Sequence, residues 1–525
     1  MNQEEIKKKQ KRVMIYVMII SLICVVGVSY AFFTAGMSSE TSTTVRADAG
    51  TMKITYDGGA NINLAGIYPK DDVWATKTIT VTGNNTTDAE MYYKLTLVVD
   101  SNTFKTDDPL QYELVSTNTS TNGEIIPNIS QTDITGTSIE LGKGHFVKAN
   151  NAKHTYLLKI YYPKKTTSQN ANQGAAFSAH VEITSAKAPK TNGKLSELVL
   201  YNNEVKTPIT TPGAAISTAD EALLASVEDD NGTSYYFRGA VTNNYVEFAN
   251  KCWRIVRVGG DGSVKLILHN DNTTGVANPC SSANNSASAA FARYSGTTYT
   301  SAFNANYNDN AYVGFKYGTP GSNTYEATHA NTNNSTILTN LETWYNNNLT
   351  AYESVIDNSV WCNDKTNVTD TTFNPWNFSN VNGLGYGTNK TYYGATQRLV
   401  GTSGSAVGTG PSLKCNGELS KINSKVGLIT ADELAYAGYA YKLQNTTTYL
   451  QENATDTWWW SLSPYGFGGS PAGVWSVDGR AGNFGNDYFL DYSVGYTNGL
   501  RPSISLKSTT NVTGNGTSED PYVVE

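Results

Sequence analysis

The stretch of residues 458–506 constrains the fold of this chain more than any other. Its three adjacent tryptophans, Trp458, Trp459 and Trp460, cannot share one face of a strand, because successive side chains alternate between the two faces. Both faces of that strand therefore need cover. We expect the strand to end at Ser463-Pro464, since proline lacks the N–H that the next ladder bond requires. Alternation resumes over residues 499–506, so the sequence predicts two core strands on either side of a long loop rich in glycine and aromatic residues.

The loop between these strands supplies the candidate ligand-binding residues. They are aromatic side chains and the single cation between residues 461 and 500, namely Phe467, Trp475, Arg480, Phe484, Tyr488 and Phe489. Rigid aromatic rings among glycines and amides are typical of surfaces that recognise sugars or proteins, because they offer contact area at a small entropic cost. The alternative, which the sequence leaves open, is that these aromatics form a small core that holds the loop in place.

The same loop raises the question of a calcium site. Asn483, Asn486, Asp487 and Asp491 carry oxygen ligands of the kind that calcium accepts. Asn and Asp in glycine-rich loops are more often turn formers. The sequence therefore predicts neither a metal nor a cofactor.

The order WWWSLSP, glycine-rich loop, GLRPSISL resembles the end of bacterial, Firmicutes-like surface domains of the C-type-lectin-like superfamily. That superfamily also holds the formylglycine-generating enzymes and the variable proteins of diversity-generating retroelements. The resemblance extends upstream to YYFRGAVTNNYVEFANKCWRIVRV, HANTNNSTILTNLETWYNNNL and VGLITADELAYAGY, and so covers about residues 220–525. It implies a ligand-facing loop over residues 465–498. Formylglycine-generating enzymes use paired cysteines late in the domain, but no cysteine follows Cys415 here, so the resemblance does not imply that chemistry.

The N-terminus predicts export. Five basic residues between positions 7 and 12 precede an uncharged apolar run over residues 13–33, which is long enough to cross a bilayer of about 30 Å as a helix. Residues 1–35 are therefore expected to form a cytoplasmic basic tail and a signal or transmembrane helix. Small residues at Ser29 and Ala31 suit a signal peptidase, so secretion after cleavage near Ala31 competes with permanent anchoring in the membrane. The segment GVSYAFFTAG resembles precursors of biofilm-matrix fibre proteins and camelysin-type surface proteins.

The rest of the chain divides into two domains and a linker. Short alternating runs over residues 48–186 predict an antiparallel β-sandwich, and the polar, proline-containing residues 187–219 predict a linker. Strand patterns mixed with helix signals make residues 220–525 α+β. Two capping-box patterns, Thr218 with Glu221 and Thr430 with Glu433, predict helix starts, and a third helix is expected to begin at Asn334 or Ser335. The expected fold class is thus mainly β plus α+β.

The cysteines indicate disulfide bonds. Apart from Cys24 in the apolar run, the chain has Cys252, Cys280, Cys362 and Cys415, and an even number outside the membrane is typical of a disulfide framework. Four cysteines allow three pairings, and proximity in sequence favours Cys252–Cys280 with Cys362–Cys415. No C-x-x-C or H-x-x-x-H pattern supports the rival metal site.

Composition and motifs restrict the classes of function that this chain can have. Charged residues make up 16% of the chain, the net charge is −7, and no basic cluster follows the N-terminus, which argues against nucleic acid as a partner. No G-x-S-x-G or S-x-x-K motif supports acyl transfer, and we expect no enzyme activity. The sequence predicts a surface or secreted adhesion protein that displays a C-type-lectin-like domain on a sandwich stalk and binds an extracellular glycan or protein. The alternative is a matrix or fibre subunit that self-assembles through the sandwich, and an enzyme of unknown type is third.

Overall fold

The computed structural model describes residues 43–48, 51–86, 90–118, 122–186, 190–214, 221–377, 381–485 and 493–525. Strands make up 40% and helices 12%, which confirms the mainly β class. Backbone contacts divide the chain into two units, Met1–Ala188 and Pro189–Glu525. The expected signal or transmembrane helix, with its cleavage site near Ala31, lies outside the described residues. Among the residues that are described, no helix combines the length and the apolar character needed to cross a bilayer.

The first unit is built from strands. They are β1 (Thr43–Asp48), β2 (Thr51–Asp57), β3 (Ile62–Ala65), β4 (Lys70–Asn85), β5 (Met91–Asn102), β6 (Gln111–Ser116), β7 (Gly123–Glu124), β8 (Ile129–Asp133), β9 (Ser138–Phe146), β10 (Ala149–Tyr162) and β11 (Ala176–Ser185). They pair antiparallel in two sheets, with the strand orders β1-β2-β4-β10-β6-β8 and β3-β11-β5-β9-β7. Both sheets contribute to one core, because Ile79 and Leu158 from the first sheet and Leu95 and Leu97 from the second are fully buried in the same cluster. This arrangement confirms the sandwich predicted from alternation.

A polar cluster lies inside this apolar core. The Tyr93 hydroxyl lies 2.7 Å from His154 Nδ1 and 2.5 Å from the Tyr156 hydroxyl, which accepts a hydrogen bond from the backbone N–H of Ile126. The His154 ring stacks on Phe146 with 4.0 Å between centroids, and its Nε2 has no hydrogen-bond partner among the described residues. Burial, followed by the nearby His145, lowers the pKa of His154 to about 4. The imidazole is therefore neutral at pH 7.

The second unit mixes strands with short helices. Its strands are β12 (Asn192–Lys194), β13 (Leu223–Asp229), β14 (Gly232–Arg238), β15 (Tyr245–Phe248), β16 (Lys251–Val258), β17 (Val264–Asn270), β18 (Thr300–Ala302), β19 (Lys316–Tyr317), β20 (Asn333–Asn334), β21 (Ser359–Cys362), β22 (Thr391–Tyr392), β23 (Lys421–Ser424), β24 (Trp458–Phe467), β25 (Ala472–Asp478), β26 (Asn483–Phe484), β27 (Thr497–Gly499), β28 (Ser503–Leu506), β29 (Asn511–Thr513) and β30 (Tyr522–Val524). Its α-helices are α1 (Leu195–Asn202), α2 (Tyr325–Thr328), α3 (Thr336–Asn348), α4 (Gly394–Leu399) and α5 (Ala431–Ala437).

Two larger sheets organise this unit. One has the order β12-β29-β30-β15-β16-β14-β13, and β17 joins it by pairing with β16 and with β28. The other has the order β18-β27-β24-β25-β26, with β22 paired to β24. Most pairs are antiparallel, whereas β15 with β30 and β24 with β27 are parallel. The strand patterns that the sequence shows over residues 235–238, 245–248, 252–258 and 263–268 correspond to β14, β15, β16 and β17.

Two of the predicted helix starts are confirmed. The Ser335 hydroxyl caps α3 by accepting the N–H of Leu338 at 3.2 Å. Thr430 and Glu433 form a complete capping box at the start of α5. In each case a local side-chain bond satisfies N–H groups that the first helical turn leaves without partners.

Three predictions near the ends of elements are corrected. Residues 223–229 form strand β13 and not a helix, because Leu224 pairs with Phe237 of β14 and the Glu221 carboxylate binds Arg238 inside the protein.

The segment 187–219 is not a simple linker. It contains α1, which contributes to the core of the second unit through buried side chains at i, i+3 and i+4, namely Leu195, Leu198 and Val199.

The third correction concerns Pro464, which does not end its strand. Strand β24 runs through it to Phe467, and Pro464 is paired with Val474 of β25. The register shifts on both sides of this proline, between Trp460 and Pro464 and between Pro464 and Gly466. Such irregularities interrupt the ladder, which explains how a residue without an N–H is accommodated there.

Candidate ligand-binding face

Strands β24 and β25 form the frame of the region that the sequence singled out. Trp459 and Trp460 point to opposite faces of β24 and both are fully buried, so both faces of this strand are covered, as predicted. Trp460 Nε1 donates to the carbonyl of Ser301 at 2.8 Å, which ties β24 to β18. The frame is therefore rigid, because its largest side chains are fixed by packing on two sides.

The aromatic side chains of this frame form a continuous stack, which we call the aromatic cluster. Its members are Trp376, Tyr392, Tyr441, Tyr465, Trp475 and Phe484. The Trp475 ring lies at the centre, 4.9 Å from Tyr465 and 4.8 Å from Phe484, and its Nε1 donates to the Thr396 hydroxyl at 3.2 Å. Contacts on this many sides leave Trp475 no surface for a ligand.

The cluster corrects half of the predicted ligand-binding set. Phe467, Trp475 and Phe484 have relative exposures of 1%, 0% and 0%, so these rings belong to the core. The physical reason is that β24 and β25 continue through the presumed loop, so that their inward residues must be buried. The alternative reading of the loop aromatics as a core holding the loop in place therefore holds for these three residues.

The other three predicted ligand-binding residues fall into two groups, one that the structure describes and one that it does not. Arg480 is in the turn between β25 and β26, its side chain is 64% exposed, and its Nε lies 3.6 Å from the Asp478 carboxylate. Tyr488 and Phe489 lie outside the described residues. Asn483 is in β26, whereas Asn486, Asp487 and Asp491 also fall outside. Among the described residues, no group of three or more His, Cys, Asp or Glu side chains is arranged to hold a metal ion.

Trp376 closes the aromatic cluster towards the surface. Its half-buried ring stacks on Tyr465 at 5.0 Å with an interplanar angle of 25°, and its Nε1 donates to the Tyr441 hydroxyl at 3.0 Å. Gly485 begins the segment that follows β26, and a Cβ there would lie 2.6 Å from both Trp475 and Tyr441. Only glycine allows the backbone to approach the rings this closely at a φ of +68°. Trp376 and Gly485 therefore contact rings of the same cluster.

An exposed pair of tyrosines lies at the other end of the segment 486–492. Tyr307 and Tyr496 are each 49% exposed, and the Tyr307 ring packs against Gly495, where a Cβ would be only 3.0 Å from it. The carbonyl of Tyr307 accepts the N–H of Ala472 at 2.7 Å, and the N–H of Tyr496 is bonded to the carbonyl of Ser493 at 2.9 Å. We call these two residues the tyrosine pair. Their backbones are fixed while their rings face outward.

Arg480 and the tyrosine pair lie at opposite ends of β25. Ala472, which contacts Tyr307, is the first residue of β25, and Asp478, next to the Arg480 turn, is the last. A strand of this length spans about 20 Å. The sequence placed Arg480 and the aromatics in one loop, whereas the strand separates them.

The sequence prediction missed Trp376 and the tyrosine pair for identifiable reasons. Trp376 lies in the segment TTFNPWNF, which carries no periodic signal. Tyr307 stands in the segment NYNDNAY, which is typical of a turn. Tyr496 falls within the predicted ligand-facing stretch, but neither glycine-rich composition nor spacing distinguished it from its neighbours.

Both predicted disulfide bonds are present. Cys252 of β16 is bonded to Cys280, and Cys362 of β21 is bonded to Cys415. The first bond is fully buried against Tyr245. The second is half-buried beside a polar cavity of about 80 Å³. Each bond fixes a segment of irregular structure to a strand of the second unit.

The polar cavity is lined by charged groups, several of which form ion pairs with one another. The Glu433 carboxylate accepts from Lys265 at 2.7 Å and from Arg257 at 3.0 Å, and Arg257 also binds Asp229 at 2.9 Å. Burial acts to raise the pKa of Glu433, but Lys265 and Arg257 outweigh it and lower the value to about 2. These pairs link β13, β16, β17 and α5, which favours a structural role for the network.

Comparison with known sequences adds no family to this description. No protein-family model matches the sequence, and no curated protein matches it.

Proposed function

We propose that this chain is an extracytoplasmic binding protein whose second unit is a C-type-lectin-like display domain. Its ligand, a glycan or a protein, would contact the tyrosine pair and the segment 486–492 beside it. The first unit would act as the stalk and the N-terminal residues as an export signal or anchor. Two disulfides favour an oxidising compartment outside the cytoplasm, which agrees with this proposal.

The observation that carries the proposal is the exposure of two tyrosines that both adjoin Gly495, Tyr307 through its ring and Tyr496 as the next residue along the chain. Large aromatic rings are usually buried, and an exposed pair supplies contact area without losing much side-chain entropy on binding. Tyr307 and Tyr496 are 189 positions apart in sequence, yet the fold brings them to the same glycine, Gly495. The tyrosine hydroxyls add hydrogen bonding to the apolar contact, which suits both hydroxyl-rich and polypeptide ligands.

The proposal is tested by screening the secreted chain on glycan and protein arrays. We expect Tyr307→Ala and Tyr496→Ala each to weaken the strongest hit by at least tenfold, as is usual for aromatic anchors. Tyr352→Ala is the matched control, because Tyr352 is also a partly exposed tyrosine of the second unit, at 40%. A ligand that the control variant loses as readily as the two test variants would contradict the proposed face.

A second candidate function, a matrix or fibre subunit, is favoured by strand β1. This six-residue strand is at the edge of its sheet, where it pairs only with β2 in the strand order. Edge strands present N–H and C=O groups to which another chain can add. Electron microscopy of the secreted chain and of its Val45→Pro variant distinguishes the two functions, since fibres that disappear in this variant would support assembly through β1.

A further inference from the structure

The two disulfide bonds of the second unit differ in how a thiol can reach them. Cys252 and Cys280 have relative exposures of 0% and 1%, and they pack together with Tyr245. Cys362 and Cys415 are half-buried, and both line the polar cavity, which is partly open to solvent. Thiol–disulfide exchange requires a thiolate to approach one of the two sulfur atoms. Of these two bonds, Cys362–Cys415 is the one that offers such an approach in the folded protein.

A carboxylate lies directly beside this bond. Asp230 Oδ2 accepts the backbone N–H of Cys415 at 3.1 Å, and the exposed Asp230 side chain also lines the cavity. It forms no ion pair with any residue that the structure describes. Glu418 and, less strongly, Asp230 raise the pKa of Lys421, but the Lys421 ammonium binds Glu418 at 2.8 Å. The negative charge of Asp230 is therefore not neutralised by a bound cation.

The remaining charged groups of the cavity leave this excess of negative charge in place. The lining contains four carboxylates and two cations, namely Asp229, Asp230, Asp432, Glu433, Arg257 and Lys265. Both cations are bound to Glu433, and Arg257 also binds Asp229. Asp432 is held by Arg398 at 2.6 Å. A negatively charged molecule that enters the cavity is therefore repelled by Asp230, whereas a cationic molecule is attracted.

We propose that the Cys362–Cys415 bond is a site of exchange with small thiols, and that Asp230 selects cationic and uncharged thiols over anionic ones. The cavity of about 80 Å³ has room for the thiol end of a small molecule. In the first step, the thiolate attacks one sulfur atom, a mixed disulfide forms, and the other cysteine leaves as a thiolate that takes a proton from water. A second thiol then attacks the sulfur atom of the bound reagent and releases the other cysteine. Two thiols thus supply the two electrons that reduce the bond and are themselves oxidised to a disulfide.

Exchange at this site releases an irregular stretch of the chain. Residues 401–417, which the structure describes throughout, follow α4 and form neither a helix nor a strand. Leu413 forms an isolated bridge with Asp229, and the N–H of Ser412 donates to Asp432 Oδ1 at 2.9 Å. The disulfide is the covalent tie between this stretch and β21. After reduction, non-covalent contacts alone hold the stretch, so it opens more often and uncovers the cavity.

The test compares three thiols of equal length that differ in charge, namely 2-aminoethanethiol, 2-mercaptoethanol and 2-mercaptoethanesulfonate. Alkylation of the purified protein with iodoacetamide and peptide mapping give the rate at which each cysteine becomes free. Each rate is divided by the rate of the same thiol with bis(2-hydroxyethyl) disulfide, which removes differences in intrinsic reactivity. At low ionic strength, we expect the cationic thiol to release Cys362 and Cys415 about tenfold faster than the anionic thiol after this correction. If Cys252 and Cys280 are released at the same rate, or if no cysteine of the four is released, the proposal is overturned.

Asp230→Asn makes the test specific, since the amide oxygen can still accept the Cys415 N–H while the charge is removed. The ratio between the cationic and the anionic thiol should fall to less than about threefold in this variant. Asp520→Asn is the control, because Asp520 is also an exposed carboxylate of the second unit but lies in the turn before β30. An unchanged ratio in Asp230→Asn would refute the role of Asp230.

Hydrogen exchange tests the release of the irregular stretch. After reduction by 2-aminoethanethiol, the amides of residues 401–417 should exchange about tenfold faster or more, whereas those of β16, which Cys252 anchors, should keep their rates. Equal exchange of residues 401–417 before and after reduction would contradict the release.

Discussion

The neutral His154 in the core of the sandwich predicts that the first unit loses stability in mild acid. The pKa of this imidazole is about 4 when the unit is folded and about 6.5 when it is unfolded. Between these values the unfolded chain binds a proton and the folded chain does not, so stability falls as the pH falls from 6.5 towards 4. Going from pH 7.5 to pH 5, this linkage amounts to about 2 kcal/mol. Most carboxylates remain ionised at pH 5, which isolates the histidine effect.

The perturbation that tests this reasoning is His154→Phe. Phenylalanine keeps the stacking on Phe146 and cannot be protonated, so the loss of about 2 kcal/mol between pH 7.5 and 5 should disappear. Hydrogen exchange of the amides of β5, β9 and β10 in the purified protein, corrected for intrinsic rates, gives the free energy of opening at each pH. The variant also loses the contact with the Tyr93 hydroxyl, which changes its stability equally at all pH values.

His180→Gln is the control of opposite sign. Burial acts to lower the pKa of His180, but hydrogen bonds to Asp100 and Glu182 outweigh it and raise the value. Its contribution is therefore complete below pH 6.5 and is lost as the pH rises through the folded-state pKa. The variant should make the loss in acid steeper, whereas His154→Phe removes it. The reasoning is refuted if wild type and His154→Phe lose the same free energy between pH 7.5 and 5.

Three further predictions concern the second unit. Trp460→Ala should lower the free energy of unfolding by about 3 to 5 kcal/mol, whereas Arg480→Ala should change it by less than about 0.5 kcal/mol, as measured by urea titration. Glu433→Gln leaves the buried Lys265 without its carboxylate, while Arg257 keeps Asp229, and should cost about 3 to 5 kcal/mol at pH 7. The difference from wild type should shrink as the pH falls from about 4.3 towards 2. Non-reducing peptide mapping should recover Cys252–Cys280 and Cys362–Cys415, and reduction should destabilise the unit by about 3 to 4 kcal/mol for each bond broken.

Features with a local cause could be predicted from the sequence. The strands of the sandwich follow from alternation, because each is half buried and the period of two is visible in runs such as Tyr93 to Val99. The cap of α5 depends on two residues three positions apart, so its signal is also contained in the sequence. Thr218 lies outside the described residues, but the helix predicted after it is replaced by strand β13, and the Glu221 carboxylate binds Arg238. A local rule gives way when a distant charge competes for the same side chain.

Features set by distant contacts could not be predicted. Trp475 and Phe484 lie in a segment with the composition expected of an exposed loop, yet Trp475 is buried against Tyr441, a residue that lies more distant in the chain and in turn contacts Trp376. A glycine-rich segment can run close against a core, and it can equally extend as an exposed loop. Its composition alone therefore does not predict which of the two occurs. Composition therefore identified the region that is rich in aromatic residues. It could not distinguish the aromatic residues that could bind a ligand from those that pack in the core.

Arg501 shows the same limit for a polar residue. Alternation over residues 499–506 puts Leu500, Ile504 and Leu506 on one face, and a half-buried strand would then expose Arg501 and Ser503. Both are instead fully buried, because β28 pairs with β17 inside the unit and its second face is covered as well. Polar residues on a strand covered on both sides must find partners within the protein. Arg501 donates to the carbonyls of Leu268 and Leu450, two contacts between distant parts of the chain that no sequence pattern reveals.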